Sequence, residues 1–277
     1  MGIREFLGFS SAPKLHVALD SGSGPAVVLV HGIASSSVTF DNVVPLLGGN
    51  HRVIAIDLLG FGQSPNPATA SYTLEEHVAA LGATLRSLRI SGRFTLVGHS
   101  LGALISARYA AENSRSVQHL ILVAPPVYLP GETVLDPLER LHMDAYRGLY
   151  DFMRSNRGFT EASAKALARL LPIKNALEVT EKNWRAISLS LEKCIESQTT
   201  VTDIAQVKVP VDLIYGTRDP FMAPAGLRVI ERMRGVATTR VEGEDHLVRP
   251  GLAKEIVRLI DNPTPPTTPV RVVTVKP

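Results

Sequence analysis

The sequence predicts an α/β fold, a mostly parallel sheet covered by helices on both faces and interrupted by one helical insertion. Three observations carry that expectation. Short continuous apolar runs of strand length, such as Ala26-Val-Val-Leu-Val30 and Val117 to Val123, read as strands buried on both faces. Segments with one apolar helical face alternate with them, the order a parallel sheet requires. Past Val123 the pattern changes, because Val127 to about Thr202 contains no strand-like run and reads as helical.

Taken in order, Lys14 to Leu19 alternates and reads as an edge strand, ended by the turn-forming Ser21-Gly-Ser-Gly-Pro25. Ala26 to Val30 follows as a buried strand, then His31-Gly32-Ile33, and Phe40 to Leu47 as a short helix. Arg52 to Ile56 is the next buried strand, followed by Asp57-Leu-Leu-Gly-Phe-Gly-Gln-Ser64, in which Asp57 and Ser64 brace a turn. Thr73, with Glu76 three residues on, has the spacing of a capping box. The helix behind it runs to about Leu88, with Leu74, Val78, Leu81 and Leu85 on one face. Phe94 to Val97 reads as a strand, Ala103 to about Asn113 as a helix, and Val117 to Val123 as a strand stopped by Pro125-Pro126.

Within the insertion, Glu161 to Leu171 and Glu178 to Cys194 are the clearest helices, with Pro130, Pro137 and Pro172 as punctuation. The stretch carries ten Lys/Arg and ten Asp/Glu, so its charge favours no ionic substrate. The sheet resumes at Val211 to Tyr215, followed by a helix from Ala225 to Arg234 and a strand from Ala237 to Val241. A closing helix spans Gly251 to Ile260, before a Pro/Thr-rich tail and an alternating Val270 to Val275 that suits an edge strand.

Composition narrows the function classes. The chain has 277 residues, 45% hydrophobic and 20% charged, which suits a globular protein with a full core. Its formal charge is only +3, and no Lys/Arg block stands out, which argues against a nucleic-acid partner. Cys194 is the one cysteine, so no intrachain disulfide forms, and it reads as a buried structural thiol. No targeting segment and no apolar run of membrane-spanning length is recognised, which sets a cytoplasmic location and no stable membrane insertion as the expectation. Ile3, Phe6, Leu7 and Phe9 leave peripheral lipid contact open, and the oligomeric state stays unknown. Neither a metal-binding spacing nor a phosphate-cradling loop is present, so no metal or cofactor is expected.

The chemistry gathers around Gly98-His-Ser-Leu-Gly102, a G-x-S-x-G between strand and helix. Such a turn holds its serine at the tip, and the N–H of Leu101 opens a helix, where negative charge is favoured. A serine nucleophile needs a base, and the base needs an acid that fixes its tautomer. Asp219 follows the Val211 to Tyr215 strand and His246 follows the Ala237 to Val241 strand, so Ser100, Asp219 and His246 fall at strand ends that converge on one rim. A turn-capping role competes for Asp219, and Asp245, Asp203, Asp57 and Glu244 are weaker acids. The Ile33 and Leu101 N–H groups are the expected oxyanion donors. His31 reads as a residue that orients its loop, and His99 as a packing or pocket-wall residue. Both are pocket candidates together with Met143, Tyr146 and Trp184. His16, His51, His77, His119 and His142 lack a matching partner and read as solvated or locally bonded.

With these motifs in hand, the chain from about Lys14 to Ile260 resembles the α/β-hydrolase superfamily, in the group with an inserted helical cap. The resemblance implies a cofactor-free serine hydrolase with an eight-stranded, mostly parallel sheet. Its core would be 1–126 and 203–277, including a Pro-rich tail from 263, and residues 127–202 would form a cap roofing the pocket. Ser100 stands where haloalkane dehalogenases and epoxide hydrolases carry aspartate, and Leu247 where meta-cleavage C–C hydrolases usually carry Trp. His99 stands where cofactor-free perhydrolases typically carry Phe. The resemblance therefore implies cleavage of apolar acyl or aromatic carboxylic esters through an acyl-enzyme, on a small hydrophobic substrate. The alternatives are a lactone, thioester or C–C bond hydrolase with the same triad, or a slow-turnover ligand receptor on this scaffold.

Overall fold

The apolar runs pair into a single sheet in the computed structural model, which describes residues 12–129, 136–168, 177–265 and 270–274. Its strands are β1 (Val17–Ser21), β2 (Ala26–Val30), β3 (Arg52–Ile56), β4 (Phe94–His99), β5 (Val117–Val123), β6 (Val211–Gly216), β7 (Val236–Glu242) and β8 (Arg271–Thr274). The spatial order is β1-β3-β2-β4-β5-β6-β7-β8, eight strands in all. β1 runs antiparallel to β3, and every other pairing is parallel. All residues of β2, β4 and β6 are buried, as strands with helices on both faces must be. The expected edge strand at Lys14 to Leu19 forms two to three residues later, and the alternating tail supplies β8 alongside β7.

Helix α1 (Leu74–Ser87) starts where Thr73 Oγ1 accepts the Glu76 N–H at 3.3 Å, the first half of the expected capping box. The Glu76 carboxylate does not return to the Thr73 N–H. It accepts instead from the Ser71 and Tyr72 N–H groups, at 2.8 and 2.7 Å, and pins the chain entering the helix. Leu74, Val78, Leu81 and Leu85 face the core as their spacing requires. Helix α2 (Leu101–Glu112) follows β4 without a loop residue other than Ser100. Further helices are α3 (Pro137–Ser155), α4 (Arg157–Ala168), α5 (Trp184–Ser190), α6 (Thr200–Gln206), α7 (Pro224–Glu231) and α8 (Pro250–Asp261). Helices α3 to α6 all lie between β5 and β6 in the chain.

Several local expectations are corrected. Phe40 to Leu47 is not one helix but two 3₁₀ turns, Ser37–Phe40 and Val44–Leu47, because Pro45 lacks the N–H that a continuous helix would use. Glu178 to Cys194 is not continuous either. Asn183 accepts the Thr180 N–H at 2.8 Å and donates to the Glu178 carbonyl at 2.9 Å, closing a loop of its own ahead of α5. Helix α5 then passes into a π-helical turn, Leu191–Glu196, which buries Cys194. Helix α4 starts earlier than Glu161, and residues 169–171 of that expectation lie outside the described residues, as do Ile3, Phe6, Leu7 and Phe9. Pro137 opens α3 rather than interrupting a helix, with Asp136 accepting the Leu138 N–H at 2.8 Å.

Of the histidines read as solvated or locally bonded, three instead hydrogen-bond across the fold, and His51 Nε2 comes within 3.6 Å of Asp261 Oδ1. His119 Nε2 meets Asp212 Oδ2 at 2.8 Å, linking β5 to β6, and both residues are buried. His77 bonds Ser190 Oγ at 3.1 Å, joining α1 to α5. His16 Nδ1 lies 3.0 Å from Asp57 Oδ2. A titratable group buried in a sheet or helix interface needs a partner, and that partner is remote in sequence.

Candidate active site

The carboxyl ends of β2, β4, β6 and β7 bring four loops to one rim, beside the point where the strand order reverses around β2. Ser100 sits at the tightest of them, with φ 53° and ψ −121°, a conformation costing a non-glycine residue roughly 1–3 kcal/mol. The flanking glycines make the turn possible. A Cβ on Gly98 would lie 2.7 Å from Ala103 Cα, and one on Gly102 would fall on the Val30 and His31 carbonyl oxygens. The Ser100 N–H is tied to the Val123 carbonyl at 2.9 Å, so β5 fixes the turn from the side.

The loop after β2 runs directly against this serine. A Cβ on Gly32 would stand 2.9 Å from Ser100 Cβ, which brings the 32–33 backbone alongside Ser100. His31 holds that loop still. Its Nδ1 donates to the Gly32 carbonyl at 2.7 Å and its Nε2 accepts the Leu58 N–H at 2.8 Å. Both bonds require a neutral ring, and burial pushes its pKa down to about 4. His31 is fully buried with both nitrogens engaged, so it orients the loop and is no pocket wall.

Asp57 braces the neighbouring turn. Its carboxylate accepts from the Ser37 N–H at 2.9 Å and the Gln63 N–H at 3.0 Å, while Ser64 Oγ donates to the Asp57 carbonyl at 2.5 Å. Desolvation would raise the Asp57 pKa, but these N–H bonds and His16 outweigh it and hold the group below the usual range.

Across the rim, His246 Nδ1 lies 2.7 Å from Asp219 Oδ2. The other Asp219 oxygen accepts the Phe221 N–H at 2.8 Å. The turn-capping and imidazole-facing readings of Asp219 are thus both satisfied, one by each oxygen. The weaker acids are engaged elsewhere: Asp245 with Arg249 at 2.7 Å, and Asp203 with Arg108 at 2.7 Å. His99, whose relative exposure is 6%, precedes the serine in the chain, with Nε2 2.8 Å from the His246 carbonyl oxygen and its ring 4.9 Å from the imidazole. Its ring is bonded to the backbone of the His246 loop, a contact beyond the packing or pocket-wall role expected of it. No hydrogen bond joins Ser100 Oγ to His246 among the described residues, a contact often completed only with substrate bound.

Sequence reasoning missed two neighbours of this site, Phe221 and Tyr128. The Phe221 ring meets the His246 imidazole edge-on at 4.8 Å. Tyr128 donates to the Phe221 carbonyl at 2.9 Å and takes a hydroxyl bond from Tyr150 at 2.7 Å. Tyr146, a pocket candidate, instead donates to the Pro220 carbonyl and stacks on Tyr128 at 5.2 Å. The Tyr128 and Tyr146 hydroxyls end on backbone carbonyls, which no side-chain motif signals. Trp184 packs at the edge of the core with the Arg157 guanidinium 6.0 Å over its ring, and the Met143 side chain lies outside what is described.

Two surface concavities of about 300 Å³ each, one between α1 and α2 and one beside β1, touch neither Ser100 nor His246. Among the described residues no group of three side chains could hold a metal ion, and no helix is long and apolar enough to cross a membrane.

Comparison with known proteins agrees with this architecture. Residues 25–248 match the family model described as alpha/beta hydrolase fold. "Lipase 1" of Psychrobacter immobilis is 27% identical over 220 residues, which span 76% of this chain and 67% of that protein. "Probable lysophospholipase BODYGUARD 3" of Arabidopsis thaliana is 40% identical over 106 residues, spanning 37% of this chain and 21% of that protein. A haloalkane dehalogenase loop variant from Bradyrhizobium elkanii superimposes with a TM-score of 0.67 at 20% identity, covering 90% of this chain and 96% of that one. That last likeness is one of fold.

Proposed function

Because the chain belongs to the alpha/beta hydrolase family, we propose that it is a serine hydrolase that cleaves carboxylic esters of apolar acyl or aromatic groups through an acyl-enzyme. The observation that carries the reading is the strained Ser100 between β4 and α2, set on the same rim as an imidazole already bonded to a buried carboxylate at 2.7 Å. Asp219 accepts the Nδ1 proton of His246, which leaves the Nε2 lone pair as the base. Ser100 Oγ attacks the ester carbonyl and passes its proton to Nε2. The oxyanion forms against the Ile33 and Leu101 N–H groups, and it collapses as Nε2 returns the proton to the departing alcohol. Water then repeats the sequence on the acyl-enzyme, releasing the acid and restoring Ser100.

The helices between β5 and β6 serve as the cap in this reading. The Glu178 N–H donates to the Ala34 carbonyl at 2.7 Å, next to Ile33, and Tyr146 bonds the loop that carries Asp219. The apolar rings of Phe221 and Tyr146 beside this rim favour a substrate whose acyl or alcohol part is hydrophobic. The names of the lipase and lysophospholipase relatives point to the same bond class.

The test is hydrolysis of short p-nitrophenyl esters by the wild-type chain and by Ser100→Ala. Wild type should turn over repeatedly and react with a fluorophosphonate at Ser100, and Ser100→Ala should lose roughly 10⁶-fold of kcat. Near-equal rates for the two proteins would refute the reading. A single acylation without further turnover would point to a ligand receptor instead.

A further inference from the structure

His99 has a bond that packing alone does not require. It ends β4 and precedes Ser100 in the chain, yet its Nε2 reaches the backbone oxygen of His246 at 2.8 Å, and the two rings lie 4.9 Å apart. A carbonyl oxygen only accepts, so Nε2 carries the proton and Nδ1 is a bare acceptor. Nδ1 is buried without a hydrogen-bond partner and faces Gly32, where a Cβ would stand 3.1 Å away. A proton on Nδ1 would have no acceptor there and would bring positive charge beside His246. Burial, with His246 as the next cause, pushes the His99 pKa down to about 3 and keeps the ring neutral, while the His246 carbonyl fixes the tautomer.

The loop carrying His246 is tied at several points, and His99 holds the one nearest the imidazole. It turns at Gly243, with φ 81°. Before the histidine it is held by Thr217 Oγ1 accepting the Gly243 N–H at 3.1 Å and by the Arg218 N–H on the Glu244 carbonyl at 2.9 Å. After it, Asn42 donates to the Val248 carbonyl at 3.0 Å, whereas the His99 bond ends on the His246 peptide itself. Asp219 and Phe221 restrain the imidazole ring but not the backbone to which it is attached. His99 is a rigid strut one peptide bond from the nucleophile. It therefore couples the Ser100 turn directly to the His246 backbone.

We propose that His99 is a positioning residue for the reaction, its Nε2–H latching the His246 carbonyl so that the imidazole stands in register with Ser100. This rests on the serine-hydrolase reading above. A merely space-filling role predicts that an aromatic ring of similar size would serve as well, whereas a latch requires a donor at the Nε2 position. Glutamine supplies one, since its amide nitrogen is the same number of bonds from Cβ, and asparagine falls one bond short.

The experiment compares wild type, Ser100→Ala, His99→Phe, His99→Asn and His99→Gln as purified full chains. It measures thermal melts, kcat and KM on a short p-nitrophenyl ester, and the rate of fluorophosphonate labelling. His99→Phe and His99→Asn are expected to lose on the order of 10- to 100-fold in kcat, with KM near wild type and labelling slowed in parallel. His99→Gln should recover most of that loss. The proposal is overturned if folded His99→Phe or His99→Asn turns over at the wild-type rate, or if His99→Gln is as slow as His99→Asn while melting like wild type. Should one substitution fail to fold, the remaining pair still decides between latch and filler. Full activity in Ser100→Ala would overturn the serine-hydrolase reading and this one with it, whereas loss there with an active His99→Phe would sink the latch alone.

Discussion

At the scale of single residues, Asp219 shows how one carboxylate meets two demands. Oδ1 closes a turn on the Phe221 N–H and Oδ2 receives the His246 Nδ1–H, so the turn that orients the acid is made by the acid itself. Replacing Asp219 by Asn keeps the shape but presents an amide that can donate toward Nδ1, favouring the wrong imidazole tautomer. The expected result is a loss of about 10⁴ in kcat with little change in fold, read from ester hydrolysis and a circular-dichroism melt. Asp245→Asn is the matched control. Its carboxylate serves Arg249 and the Leu247 N–H, so kcat should stay close to wild type. Wild-type kcat in Asp219→Asn would mean that the acid is not Asp219.

Among elements, the seat of α2 on the end of β2 is where backbone meets backbone. A Cβ on Gly102 would fall on the Val30 and His31 carbonyl oxygens, neither of which can swing away as a side chain would. Gly102→Ala is expected to cost ~1–3 kcal/mol in urea unfolding and to slow hydrolysis by pushing the loop that presents Ile33. Gly148 makes the opposite case. It lies inside α3 with nothing within 4 Å of a built Cβ, so Gly148→Ala should gain about 0.5–1 kcal/mol. The same contrast explains what was legible in the sequence. The strands, α1, the Ser100 turn and the order of Asp219 and His246 follow from local patterns of apolarity, glycine and strand ends. The break at Asn183, the His119–Asp212 pair, the tyrosine bonds to the Pro220 and Phe221 carbonyls and the His99 latch depend on partners remote in sequence. Several of those partners are backbone oxygens, which every residue has, so no residue pattern announces them.

For the whole molecule, three buried histidines tie stability to pH. His31, His77 and His99 are pushed down to about 4, 3 and 3, first by burial, against an ordinary value of 6.5. Each is neutral in the folded chain and takes up a proton on unfolding once the pH is below its ordinary value. The unfolded state thus binds more protons, and stability must fall as pH drops from about 6.5 toward the folded values. Each such histidine contributes a slope of at most ~1.4 kcal/mol per pH unit. Asp57, held below its ordinary 3.8, adds loss only under more acid conditions. Glu196 and Glu244, raised chiefly by burial from 4.5, act in the opposite sense. The histidine slope is therefore read most cleanly between about pH 7 and 5.5. His77 is the informative one to remove, since its bond to Ser190 closes the seam between α1 and α5 and it touches none of the reacting groups. Urea unfolding of His77→Gln should show a slope between pH 7 and 5.5 that is shallower by close to one histidine's share. An unchanged slope would mean that His77 does not stay neutral in the fold.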